Sequence, residues 1–119
     1  MIEMSCDQHD EYAANSQFIT HLTGRILWQQ NLTPTPIDTK GFQTVLNLVD
    51  NTCSDSFDLF FGLYYYNKHA SNQLQNIREA LSKVESQLAA KEVFIILFIN
   101  HHRVFLLTYF LQSYLELFK

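Results

Sequence analysis

The sequence predicts an all-α protein, a compact bundle of four to five helices, and three observations carry that reading. Three glycines and two prolines among 119 residues are too few for a sandwich or barrel, which turns about every 8–12 residues. Hydrophobic residues make up 47% of the chain and charged residues only 17%, a composition that must bury itself rather than remain disordered. Apolar residues also recur at three- and four-residue steps through most of the length, the period of a helix face. At this size the chain is expected to form one domain, residues 1–119, around one core.

The elements follow in order. Residues 1–15 are acidic and polar; Ser5 or Asp7 is placed to cap a helix, and Asp7, Asp10 and Glu11 sit where a helix N-terminus favours negative charge. This segment either frays or extends the first helix. From Ser16, the positions Phe18, Ile19, Leu22, Ile26 and Leu27 share one helical face that ends near Asn31, and Gly24 weakens the helix without breaking it. Residues 32–38 form a loop, because Pro34 and Pro36 each hold the preceding residue in extended geometry. Asp38 or Thr39 caps the next helix, in which Phe42, Val45, Leu46 and Val49 keep helical spacing until Asp50, Asn51 and Thr52 supply turn chemistry. Ser54, Asp55 and Ser56 offer another cap. Residues 57–66 are apolar around most of their circumference, which predicts a helix buried on several sides; Asp58, Gly62 and the lack of a hairpin turn weigh against strands.

Residues 67–72 interrupt the pattern, with Ser71 as the expected cap. Leu74, Ile77, Leu81, Val84 and Leu88 are then spaced 3, 4, 3 and 4, a seam of just over two heptads. Such a seam is expected on an amphipathic helix within the bundle, with an intermolecular coiled coil as the alternative. Residues 93–99 are wholly apolar, Asn100, His101, His102 and Arg103 follow, and a second apolar stretch covers 104–118. No glycine or proline occurs after Gly62, so one helix over about 72–117 competes with two helices divided at a left-handed Asn100. The break is favoured, since an unbroken helix would reach about 68 Å, too long for a compact domain. The expectation is therefore a strongly apolar C-terminal helical hairpin.

Charge and composition exclude several functions. The net charge is −4, against the Lys- and Arg-driven counterion release that holds a phosphate backbone. Residues 1–60 carry Arg25 and Lys40 against eight carboxylates, while residues 61–119 carry six bases against four acids. Cys6 and Cys53 are too few for a disulfide framework, and the first residues lack the zones of a secretory signal, so a reducing cytoplasmic location is expected. The sequon Asn31-Leu32-Thr33, with Pro34 behind it, is read as chance. Eighteen of the 26 residues over 93–118 are Val, Ile, Leu, Phe or Tyr. The continuous run before Asn100 is nevertheless far short of the roughly 20 residues that span a bilayer. Asn100, His101, His102 and Arg103 would sit mid-bilayer at high cost. No transmembrane segment is expected; core or interface helices are.

Reactive constellations are likewise missing from the sequence. Histidines at 9, 21, 69, 101 and 102 show no metal-ligand spacing, and there is no CxxC or HExxH, so no metal site is expected. Cys53 lies among Asp50, Asp55 and Asp58, the wrong electrostatics for a thiolate nucleophile. Glycines stand singly at 24, 41 and 62, giving no phosphate-binding loop and no cofactor. The carboxylate groups are explained by helix capping. The sequence thus predicts no catalytic residues and no enzyme.

Seventeen aromatic residues are many for one small core, and tyrosine and phenylalanine anchor interfaces well. The expected protein interface comprises Phe57, Phe60, Phe61, Tyr64, Tyr65, Leu74, Ile77, Leu81, Val84 and Leu88. These residues predict a small cytoplasmic protein-interaction module of the chaperone, adaptor, immunity, antitoxin or regulator kind. It would bury an apolar helix face against a protein partner or a second copy in a homodimer. One alternative is a DNA-binding transcriptional regulator. Residues 16–50, the best two-helix unit, hold only Arg25 and Lys40 as bases, so nucleic acid is not an expected partner. The other alternative is a membrane-associated helical protein.

Overall fold

The computed structural model describes residues 2–117, and it is all-α, with no strand among the described residues. Helix α1 spans Cys6–Ala13 behind a reciprocal cap. The Gln8 backbone N–H donates to Ser5 Oγ at 3.2 Å, and the Ser5 N–H donates to Gln8 Oε1 at 3.0 Å, satisfying two donors that a helix start leaves free. A π-helical turn, Ala14–Phe18, joins α1 directly to α2, Ile19–Trp28. The acidic opening segment therefore extends the first helix. The run ends at Asn31, which adopts φ 52°, the left-handed conformation that asparagine tolerates. In the loop that follows, Asp38 Oδ1 accepts from the Thr35 N–H at 3.1 Å and from its hydroxyl at 2.6 Å.

Thr39 caps α3, Lys40–Cys53, its hydroxyl accepting from the Phe42 N–H at 3.2 Å. The helix runs through Asp50, Asn51 and Thr52, where the sequence predicts its end. Thr52 instead donates its hydroxyl back to the Leu48 carbonyl at 2.7 Å, a bond compatible with continued helix. Ser56 caps α4, Phe57–Tyr65, in the same way, and α5 spans Ala70–Glu116.

The chain divides after Arg78 into two units. In the first, Phe18, Leu22 and Ala70 form the buried core, with Ile19, Phe60, Leu63, Tyr64, Leu74 and Ile77 packed around it. The Phe18 ring stacks on Phe60 with centroids 5.7 Å apart and meets Tyr64 at 5.9 Å. Helices α2 and α3 touch where Gly24 faces Thr52. A Cβ on Gly24 would lie 1.9 Å from Thr52 Oγ1, so only glycine permits this approach. Helix α1 is tied to the residues just before α5 by polar groups. Asp7 pairs with Lys68 and with His69 Nε2, the latter at 3.1 Å, and Asn67 Nδ2 donates to the Asp10 carbonyl at 2.7 Å.

Two fold expectations need correction. The C-terminal hairpin does not form: α5 is one helix of 47 residues, and every described residue beyond Arg78 is exposed. A helix of this length is excluded only from a compact domain. Locally, nothing ends the helix, because no glycine or proline follows Gly62 and Asn31 is the one non-glycine residue with positive φ among those described. Helix α4 is not buried on several sides either. None of its residues is fully buried, and Phe57 and Tyr65 are 64% and 66% exposed. Only the face carrying Phe60, Leu63 and Tyr64 meets the core.

Candidate functional site

A concavity of the first unit is built by three helices. Helix α4 presents Phe57, Phe60, Phe61 and Tyr64; Phe18 closes the π turn, α2 adds Leu22 and α5 adds Leu74, around about 320 Å³. Helical spacing explains the convergence: residues 57, 60, 61 and 64 share one face of α4, and residues 18 and 22 lie one turn apart. The lining is apolar apart from the Tyr64 hydroxyl and contains no acid, base or thiol.

Polar groups gather beside this groove rather than in it. Arg25, one turn beyond His21 on α2, donates from one guanidinium nitrogen to the carbonyls of Asp55 and Ser56 at 2.8 and 3.2 Å. Its guanidinium carbon lies 5.1 Å from the Phe60 ring centroid and 5.6 Å from that of Phe57, within range of cation–π attraction. Arg25 thus staples the α3–α4 connection to α2. His21 Nε2 stands 3.8 Å from Asp55 Oδ2. His21 Nδ1 and Arg25 Nε are buried without a hydrogen-bond partner among the described residues. Hydrogen bonds from Lys68 and His69, with the Lys68 charge, hold the Asp7 carboxyl below the usual carboxylate range. The Asp7 carboxylate in turn raises the Lys68 ammonium above its ordinary value. No group of three or more His, Cys, Asp or Glu side chains converges in a metal-binding arrangement among the described residues. Cys6 and Cys53 are free thiols, and Cys53 Sγ lies 3.8 Å from the Gly24 carbonyl oxygen.

Of the interface residues expected from sequence, Phe57, Phe60, Phe61, Tyr64 and Leu74 meet in the groove. Tyr65 lies outside it, stacked on Phe61 at 5.4 Å, and Ile77 packs on the core. Leu81, Val84 and Leu88 belong to the second unit and are exposed, so the heptad seam is divided after Ile77. Sequence reading missed Phe18 and Leu22 as groove walls and the Arg25 staple. The signal was available in the four-residue steps 18–22 and 21–25, which lay these side chains along neighbouring rows of one helix.

Comparison with known proteins gives this geometry a setting. Residues 26–94 match the family described as "TYRAAT1-like, C-terminal domain". Arogenate dehydrogenase 1, chloroplastic, of Arabidopsis thaliana is 53% identical over 88 residues, which cover 74% of this chain and 14% of that protein. Arogenate dehydrogenase 2, chloroplastic, of the same plant is 51% identical over 88 residues, covering 74% of this chain and 25% of the relative. The chain thus spans a quarter or less of the relatives it matches. These findings overturn three expectations. A stand-alone interaction module, whether chaperone, adaptor, immunity protein or regulator, gives way to kinship with enzymes. The expectation of no enzyme fails on the same relatives. The cytoplasmic assignment fails because both are chloroplastic proteins. The physical reason for the misreading is that the matched range, residues 26–94, lies in helices and their connections and offers no glycine-rich loop to read.

Proposed function

Because this chain belongs to the TYRAAT1-like C-terminal domain family, we propose that it serves as the helical part of an arogenate dehydrogenase acting in chloroplasts. Identity of 51–53% with two arogenate dehydrogenases, over 74% of the chain, is the observation that carries the reading. A dehydrogenase passes two electrons, as hydride, to a bound acceptor, which in most such enzymes is a nicotinamide nucleotide cradled by a glycine-rich turn between strand and helix. The residues here do not fit that group, since the three glycines stand singly and the described residues contain no strand. No step of hydride transfer is assigned to them. Their contribution is mechanical: Gly24 against Thr52 locks α2 to α3, Arg25 fixes the entry to α4, and Phe18 seats α4 on the core.

The test is a chimera. The aligned 88 residues of Arabidopsis arogenate dehydrogenase 2 are replaced by those of this chain, and arogenate-dependent reduction of nicotinamide nucleotide is followed by absorbance. Turnover within about tenfold of the parent supports the reading. A chimera with the parent's circular dichroism and melting temperature but no arogenate-dependent turnover overturns it.

A further inference from the structure

Residues 93–116 raise a question that the dehydrogenase reading leaves open, since the family match ends at Phe94. We propose that this end of α5 inserts into a lipid bilayer. Helix α5 is long and apolar enough to cross a membrane, and none of its candidate span is buried. That separates it from the core helix of a soluble protein, which is equally apolar but covered. Its place after Arg78 separates it from an N-terminal signal sequence.

Three features point to lipid rather than to a protein partner. The first is symmetry. A helix docking on protein shows one apolar stripe, whereas the large apolar residues of 93–115 are all 48–68% exposed and surround the axis on both sides of residues 100–103. The second is length: 24 residues rise about 36 Å, enough for a hydrocarbon layer of about 30 Å with some tilt. The third is the placing of charge and tyrosine. Between Glu92 and Glu116 the sole formal charge is Arg103. Lys91 lies over the Phe94 ring at 5.5 Å at one end, and Tyr114 and Glu116 stand at the other, an arrangement suited to the two headgroup layers.

The cost lies in Asn100, His101, His102 and Arg103, which at 100° per residue face in four directions near mid-depth. Each Val, Ile, Leu or Phe recovers roughly one sixth of what a central arginine costs. Fourteen such residues over 93–116 therefore outweigh Arg103 more than twofold, leaving a narrow margin for Asn100, His101 and His102. A narrow margin shifts measurably in both directions.

The experiment is flotation of the full chain with phosphatidylcholine vesicles through a sucrose gradient, after washing in high salt and alkaline carbonate. The wild type is expected to float and to resist both washes. Ile96→Glu with Leu107→Glu should leave the chain in the bottom fraction with its helical circular dichroism intact. Arg103→Leu should raise the ratio of bound to free chain by roughly a hundredfold; it adds apolar surface, so it tests insertion even if the glutamate variant fails to fold. A wild type that stays at the bottom, is stripped by either wash, or precipitates with vesicles present overturns the proposal. So does a lipid-free dimer of defined mass that vesicles do not dissociate, which would assign the surface to a second copy.

Discussion

Gly24 shows how much one missing side chain can decide. Its neighbour across the α2–α3 contact, Thr52, is 3% exposed, is β-branched and has its hydroxyl committed to the Leu48 carbonyl. Gly24→Ala would place a methyl carbon 1.9 Å from Thr52 Oγ1. The usual helix-propensity gain of about 1 kcal/mol from such a change is then overtaken by an overpacking cost of about 1–3 kcal/mol. Urea denaturation is expected to show a net loss of up to about 2 kcal/mol. The double variant with Thr52→Ala, which removes the hydroxyl, should lose less than the sum of the two singles. The sequence shows Gly24 only as a weak point in a helix. The residue it must accommodate is 28 positions away, and no periodic pattern encodes a contact at that separation.

Elements were legible where their causes are local. The caps at Ser5, Thr39 and Ser56 are hydrogen bonds over three residues, and each was among the cap candidates read from sequence. The π turn at Ala14–Phe18 was not legible, because one extra residue in a turn leaves no mark on an approximate period. The continuity of α5 is legible in the absence of glycine and proline after Gly62; what obscures it is the expectation of compactness, a property of the molecule rather than of the segment. The tie between α1 and the residues just before α5 carries a prediction about pH. Asp7 titrates lower in the folded chain than in the unfolded chain, through Lys68 and His69. It therefore adds stability above the ordinary carboxylate pKa, and that stability disappears as pH falls through the depressed value. Lys68 is raised, so its contribution is complete below the ordinary lysine value and fades as pH rises through the elevated one. Thermal melts of wild type and Asp7→Asn should differ slightly near neutrality, with the variant lower, and converge in acid, below the depressed Asp7 value. Equal separation of the two melts at both pH values would show that the pair does not couple folding to protons. Because both groups are exposed, the gap should shrink in high salt.

For the molecule as a whole, stability is concentrated in few residues. Phe18 is 1% exposed, stacks on Phe60 and is the one large side chain almost wholly enclosed among the described residues. Phe18→Ala is expected to cost about 3–5 kcal/mol, against a total of about 5–15 kcal/mol for an ordinary domain. The variant should melt far below the wild type, or be unfolded at room temperature by circular dichroism. Phe57→Ala, at a position 64% exposed, should change stability by about 1 kcal/mol or less. Equal losses at the two positions would mean that the core lies elsewhere. Kinship with two arogenate dehydrogenases was invisible at this scale for a chemical reason: the 119 residues contain no glycine-rich loop from which such chemistry could be read.

The order of these parts along the chain also bears on biosynthesis. Phe18, Leu22, Phe60, Leu63, Tyr64, Ala70 and Leu74, the residues that enclose the core, all precede Arg78. Translation proceeds from the N-terminus, and domains fold as units while it does so. The helices that need one another are thus available before the ribosome releases residues 93–116, and the first unit can settle before its most adhesive neighbour is free to compete for its side chains.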